Sequence, residues 1–300
     1  MRIQQRHSRV ARCLAALAAL VVVPATLATT LAVSTTAAGA AGSNTLTVKA
    51  GEYTYQLKGS PKAGWTEITF ENSGVEDHML AMFKLKKGTT NAQLKKAVLS
   101  NDQSALEKIA APGGDPTVFG TPAPLSPKAS TTTTTKLAAG TYGMVCFFPA
   151  PDGSPHAAHG MYKVFTVSGK SSATPPTDGV SEVTITDSGI TAPASGVPAH
   201  GWVKVTNNAT NGRDLGVAKY TSDSATFDQA NAYYNEFFSS GKVPAGDVPA
   251  TLDGGLGGLA PGGVGYFQAD FDTGGKYVFV SSNNDADNDT NPLHLDFSAG

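Results

Sequence analysis

Residues 140–167 read GTYGMVCFFPAPDGSPHAAHGMYKVFTV. Two apolar, β-branched and aromatic runs, Thr141 to Phe147 and Met161 to Val167, have strand character, and a segment rich in Pro, Gly and Ser separates them. Toward the N-terminus the same pattern recurs in Leu46 to Ala50, Glu52 to Leu57, Trp65 to Phe70 and Met79 to Leu85, each bounded by Gly, Pro, Asn or Ser. These short strands predict an all-β chain. One excursion breaks the pattern: Thr90 to Val98 and Gln103 to Ala110 hold helix formers with apolar residues three and four apart. Ala111 to Lys128, rich in Pro and Gly, is expected as irregular surface, and the threonine run Thr131 to Thr135 as a solvent-facing β segment.

Beyond Val167, residues 168–179 have the Ser, Thr and Pro content of a connector. The residues after this connector echo those before it. Phe70-Glu71-Asn72-Ser73 is matched by Thr206-Asn207-Asn208, Gly140 to Cys146 by Gly275 to Ser281, and Met161 to Val167 by Leu293 to Phe297. The order and similar spacing of these echoes favour an internal duplication over chance. The expected organisation is a signal peptide over 1–40, a first domain over 44–167, a linker over 168–179 and a second domain over 180–300.

The leader is inferred from Arg2, Arg6, Arg9 and Arg12 ahead of the apolar run Leu14 to Val33, with Ala38-Gly39-Ala40 as an exit site. Pro24 and the Thr and Ser residues from Thr26 to Ser34 weaken the competing reading as a membrane anchor. Cys13 lacks lipoprotein context, so a secreted product without a membrane anchor is expected. Four of the 22 basic residues would leave with the leader while all 24 acidic ones stay, moving the net charge from −2 to about −6. That balance disfavours nucleic acid and anionic membranes as partners. Of the 2 cysteines only Cys146 would remain, so no intramolecular disulfide can form. A lone thiol in an oxidising space is either a buried core residue or a metal-bound thiolate.

His78, Cys146, His156 and Met161 supply two imidazoles, a thiol and a thioether. A blue copper site needs that mixture, because soft and borderline donors together serve both copper oxidation states. The chain resembles the cupredoxin family here. The resemblance is carried by Phe70-Glu71-Asn72-Ser73-Gly74-Val75-Glu76-Asp77-His78, by Gly140-Thr141-Tyr142 leading to Cys146, and by Pro155-His156-Ala157-Ala158-His159-Gly160-Met161 before a terminal strand. It covers roughly 44 to 167 well and 180 to 298 only by fold-level echo. It implies two tandem Greek-key β-sandwich domains with short helical insertions, one type 1 copper in the first, and His78, Cys146, His156 and Met161 as ligands. His159 competes with His156, which alone has the family's His-x4-Met spacing. The stretch between Cys146 and His156 is longer than in small electron carriers. Its Phe147, Phe148, Pro149 and Pro151 either shield the thiolate or pack as ordinary core.

The second half has Arg213 where His78 stands, Ser281 for Cys146, Asn288 for His156 and Leu293 for Met161, so no copper is expected there. His200 and His294 read as structural or surface residues. The acidic stretch Asn283 to Asp289 could hold calcium but lacks the Gly and terminal Glu of an EF-hand loop. No His-x-His pair, His-Cys-His segment or nucleophile elbow occurs, and from this the chain is expected not to be an enzyme. The leading expectation is a one-electron carrier serving a redox partner protein. The alternative is a metal-free extracellular scaffold whose helical excursions, Thr90 to Ala110 and the aromatic-rich Ser224 to Gly241, present binding surfaces. The second excursion could instead pack on its own sheet.

Overall fold

The computed structural model describes residues 44–100, 103–112, 117–283 and 292–300. The signal peptide over 1–40, Asn288 and all but the first residue of the acidic stretch lie outside the described residues. The first half supplies β1 (Thr45–Gly51), β2 (Thr54–Lys58), β3 (Gly64–Asn72) and β4 (Ala81–Leu85). The helical excursion α1 (Asn91–Val98) and α2 (Gln103–Ile109) is next, then β5 (Thr121–Pro122), β6 (Ser130–Leu137), β7 (Gly140–Val145) and β8 (Tyr162–Val167). The second half supplies β9 (Val180–Ile185), β10 (Ile190–Thr191), β11 (His200–Asn207) and β12 (Arg213–Tyr220). After these come α3 (Phe227–Ser240), β13 (Ala250–Leu259), β14 (Val264–Asp270), β15 (Lys276–Ser281) and β16 (Leu293–Ser298).

The fold is all-β with packed sheets and short helical insertions. One eight-stranded sheet, ordered β10-β9-β11-β14-β6-β3-β1-β2, runs through both halves. In the first half it faces the three-stranded sheet β4-β7-β8, and in the second the five-stranded sheet β16-β15-β12-β13-β5. Period-two alternation explains this layering. Leu46, Val48, Ala50, Ile68 and Phe70 turn inward from β1 and β3 toward Met82 and Met144, while Val203, Val205 and Phe267 meet Leu215, Val217 and Phe279. On β15 the alternation serves two cores. Tyr277 and Phe279 enter the second core, and Val278 and Val280 enter the first.

The halves share one strand order. β1 lies parallel to β3 as β9 does to β11, and β4-β7-β8 corresponds to β12-β15-β16. Each half turns on a buried asparagine with the same bonding pattern. Asn72 Nδ2 donates to the carbonyls of Glu76 (2.8 Å) and Leu125 (2.9 Å), and its Oδ1 accepts from Gly74 N (2.9 Å). Asn207 Nδ2 donates to the carbonyls of Asn211 and Leu259, both at 2.9 Å, and additionally to Ala260 O at 3.2 Å, and its Oδ1 accepts from Ala209 N at 3.0 Å.

Two expectations about the middle of the chain are corrected. The threonine run is not solvent-facing. Thr131, Thr133, Thr134 and Thr135 are buried, because β6 is an interior strand held between β3 and β14. Nor is Ala111 to Lys128 wholly irregular surface. Thr121, Ala123, Leu125 and Ser126 are buried, β5 pairs with β13, and Ser126 exchanges bonds with Leu252 through its N–H (3.0 Å) and its hydroxyl (2.9 Å). Periodicity could not reveal either feature, since both are made by strands of the other half.

Asn207→Ala strips four side-chain bonds from backbone groups, and we expect it to lower the unfolding free energy by about 2–4 kcal/mol. Urea melts of the variant and the parent, compared at constant m-value, provide the check.

Candidate metal centre

His78 is placed by a β-bridge. Its N–H donates to Leu125 O at 3.0 Å and its carbonyl accepts from Leu125 N at 2.9 Å. Cys146 stands at the end of β7, where its N–H donates to Met161 O (3.0 Å) and its carbonyl accepts from Ala157 N (3.0 Å). The loop between Cys146 and His156 folds back on itself, with His156 N donating to Phe148 O (2.7 Å) and Ala150 N to Ser154 O (2.7 Å). A single 3-10 turn, His156–His159, ends at Gly160, whose φ of 118° suits glycine. The chain therefore returns beside its starting point.

This backbone brings three donors together. His78 Nδ1 lies 3.2 Å from His156 Nδ1, and His156 Nδ1 lies 3.4 Å from Cys146 Sγ. All three side chains are at most 1 % exposed, and their donor atoms lie within 4.8 Å of one another. Met161 is fully buried on the same segment, its N–H bonded to His156 O at 3.1 Å. His159 is not in the cluster. It lies at the rim, where its Nε2 is 2.8 Å from Ser154 Oγ and 3.2 Å from Asp152 Oδ2.

Burial sets the charge of the cluster. Desolvation lowers His78 to about 4; desolvation first, and then the repulsion two protonated rings would feel at this distance, lower His156 to about 3. Both imidazoles are neutral at pH 7 and offer lone pairs. Burial pushes the Cys146 thiol up to about 12, against the opposing pull of the Met79 and Phe148 N–H groups and the Tyr55 hydroxyl. The two facing Nδ1 atoms and the thiol are a donor set that fits a thiophilic cation. Two neutral rings meeting Nδ1 to Nδ1 can share one proton at most, whereas a cation accepts both lone pairs and replaces the thiol proton.

The outer edges of the rings face carboxylates. Glu76 Oε2 lies 2.8 Å from His156 Nε2, and Glu52 Oε1 lies 3.8 Å from His78 Nε2. Tyr53 donates to Glu76 Oε1 at 3.0 Å, stacks on His159 at 4.7 Å and meets His156 edge-on at 5.0 Å. It does so from a turn that holds it at φ 57°, a left-handed conformation costly for tyrosine. Gly74 is required at this place, because a Cβ there would come within 2.7 Å of His78 Nε2 and would also strike the Glu52 carboxylate. Sequence reasoning identified the three clustered donors but missed Glu52, Glu76 and Tyr53. Glu76 stands two residues before His78, a detectable signal, whereas Tyr53 reaches the site only through its backbone turn.

The second half holds no such cluster among the described residues. In register, Ser281 pairs with Leu293 and Arg213 bridges to Asn283. His200 pairs with Asp270 at the surface, and His294 stacks on Phe227 of α3 at 3.7 Å.

No protein-family model and no curated protein matches the chain. Solved structures of copper proteins with the cupredoxin fold do. A reduced auracyanin from Roseiflexus castenholzii is 25% identical with a TM-score of 0.30, covering 43% of this chain and 99% of its own. A multicopper oxidase is 15% identical with a TM-score of 0.24, covering 85% and 88% respectively. A copper-containing nitrite reductase from Thermus scotoductus is 9% identical with a TM-score of 0.22, covering 85% and 61%. The expectation that the chain is not an enzyme is corrected at this point. Proteins of two enzyme classes are among the similar structures, and the missing His-x-His and His-Cys-His segments speak only to particular copper clusters. Among the described residues no helix is long and apolar enough to cross a membrane.

Gly74→Ala should displace His78 and lower metal affinity at least tenfold, read by competition with a chelator of known affinity. For the metal-free chain, both histidines have folded values below the unfolded 6.5. The unfolded chain therefore binds more protons on the acid side. Stability present above pH 6.5 should be lost progressively as pH falls toward about 3, a trend that urea melts at pH 7, 5.5 and 4.5 would reveal.

Proposed function

We propose that the chain is an exported copper-binding protein whose first domain, 44–167, holds one type 1 copper through His78, Cys146, His156 and Met161 and passes single electrons to a redox partner protein. The observation that carries the reading is the convergence of two neutral imidazole Nδ1 atoms on one buried thiol. Copper would supply the one-electron couple. The chain would do the rest. β4, β7 and β8 hold the donors on a hydrogen-bonded frame that restricts rearrangement between oxidation states. Met79 N, 3.5 Å from Cys146 Sγ, directs an N–H at the sulfur, and with the adjoining Tyr55 hydroxyl would temper its charge. The second domain, 180–300, joined by 168–179, would carry no copper, consistent with a duplication in which one copy kept the ligands.

Export is supported by the leader pattern over 1–40, and metal ligation would protect the remaining thiol from oxidation in that compartment.

Zinc uses the same donor types, so a titration with both metals is informative. Cu(II) should bind at one per chain with an intense thiolate-to-metal absorption band. Cys146→Ser should abolish that band, and His156→Ala should weaken binding at least a hundredfold, whereas His159→Ala should leave stoichiometry and band unchanged. No stoichiometric copper binding, or a band surviving in Cys146→Ser, would defeat the reading.

A further inference from the structure

The aromatic-rich helix α3 belongs to the half without the metal cluster, yet its apolar face is not confined to that half. Thr226 caps its start, its hydroxyl accepting from Gln229 N while Gln229 Oε1 accepts from Thr226 N, and Gly241 ends it at φ 65°. Between these caps Ala230, Tyr233, Tyr234 and Phe237 are buried, and they share one contiguous core with Cys146, Phe148, Ala157 and Met161 of the first half.

In the first half α3 engages the loop that carries the candidate ligands. Phe148, two residues after Cys146 and 1 % exposed, packs with its ring centroid 5.4 Å from Phe238 and 6.4 Å from Phe237. At the end of α3 the backbones themselves approach, for a Cβ on Gly241 would lie 3.8 Å from Gly153 O and 4.0 Å from Pro149 Cβ. Beside this contact a cleft of about 290 Å³ is lined by Glu76, Ala150 and Pro151 from one half and Phe237 and Val243 from the other. Phe148 also accepts the His156 N–H bond, so the residue that α3 grips is the one that fixes where His156 stands.

We propose that α3 is a clamp, with Phe237 and Phe238 as positioning residues that hold the Cys146–His156 loop closed and keep the ligand cluster assembled. The second domain thereby acts on a site to which it contributes no ligand. The clamp stands on packing observed in the chain itself, and only its effect on copper rests on the proposed function.

The test uses the full-length chain carrying Phe237→Ala with Phe238→Ala, the milder Phe238→Ala alone, and Phe237→Leu as the conservative replacement. Phe279→Ala is the control, since Phe279 is fully buried in the second core and outside the shared one. Amide hydrogen exchange at Ala150, His156 and Ala157, measured without metal, should accelerate at least tenfold in the double variant. Phe238→Ala should show an intermediate increase, Phe237→Leu should stay near the parent, and Phe279→Ala should leave these amides unchanged relative to the global rate. With Cu(II) bound, release to a chelator should quicken at least tenfold in the double variant, with an altered paramagnetic resonance spectrum. Equal loop exchange in the double variant and in Phe279→Ala would overturn the clamp. Should the parent bind no copper, the copper reading fails, and the metal-free exchange pattern still decides for or against the clamp.

Discussion

Strand β6 of the first half hydrogen-bonds along its edge to β14 of the second, Thr133 opposite Phe267 and Thr134 opposite Tyr266. Either strand alone would leave a sheet edge of unpaired N–H and C=O groups, a feature that invites association with other chains. Joined, they make one eight-stranded sheet, with Trp65 set against Tyr266 across the seam at 5.9 Å. A second seam, β5 on β13, repeats the join on the opposite layer. With two seams the orientation of the halves is fixed, and α3 is carried to the loop that begins after Cys146.

That placement matters because the donor cluster is energetically demanding. Three polar side chains are buried away from water, and that desolvation keeps both rings neutral and the thiol protonated. A metal must displace a proton from sulfur to enter, so affinity depends on geometry that is already in place rather than on charge waiting for it. The backbone bonds around Cys146 and His156 provide much of that geometry, and the packing on Phe148 provides more.

His78, Cys146 and His156 were legible in the sequence because metal-donor chemistry is written in residue type and spacing, and the alternating strands around them were legible because burial on one face repeats every second residue. Met161, expected from the sequence as a fourth ligand, is buried on the same segment. The threonine run was misread for a physical reason: alternation cannot distinguish an edge from an interior strand when the covering strand lies far along the chain. The same limit applied to Phe148, which sequence could describe as shield or core, and which proves to be core between two halves. Asn72 and Asn207 were visible as paired echoes, while the three hydrogen bonds they have in common needed coordinates. Tyr53 left no mark at all, since a left-handed tyrosine in a tight turn is contrary to propensity.

The pairing of β6 with β14 also imposes an order in time. Contacts between residues near 133 and residues near 267 are distant in sequence, and such contacts form late because a long loop must close first. As the chain emerges, the first half can lay down β1 to β8 and bring His78 toward Cys146, but its sheet ends at an open β6 and Phe148 lacks its cover. Both defects are mended only when the segment from α3 through β14 has been added. The loop between Cys146 and His156 is thus finished by a part of the chain made well after it, and until then the first half has reason to wait for the second.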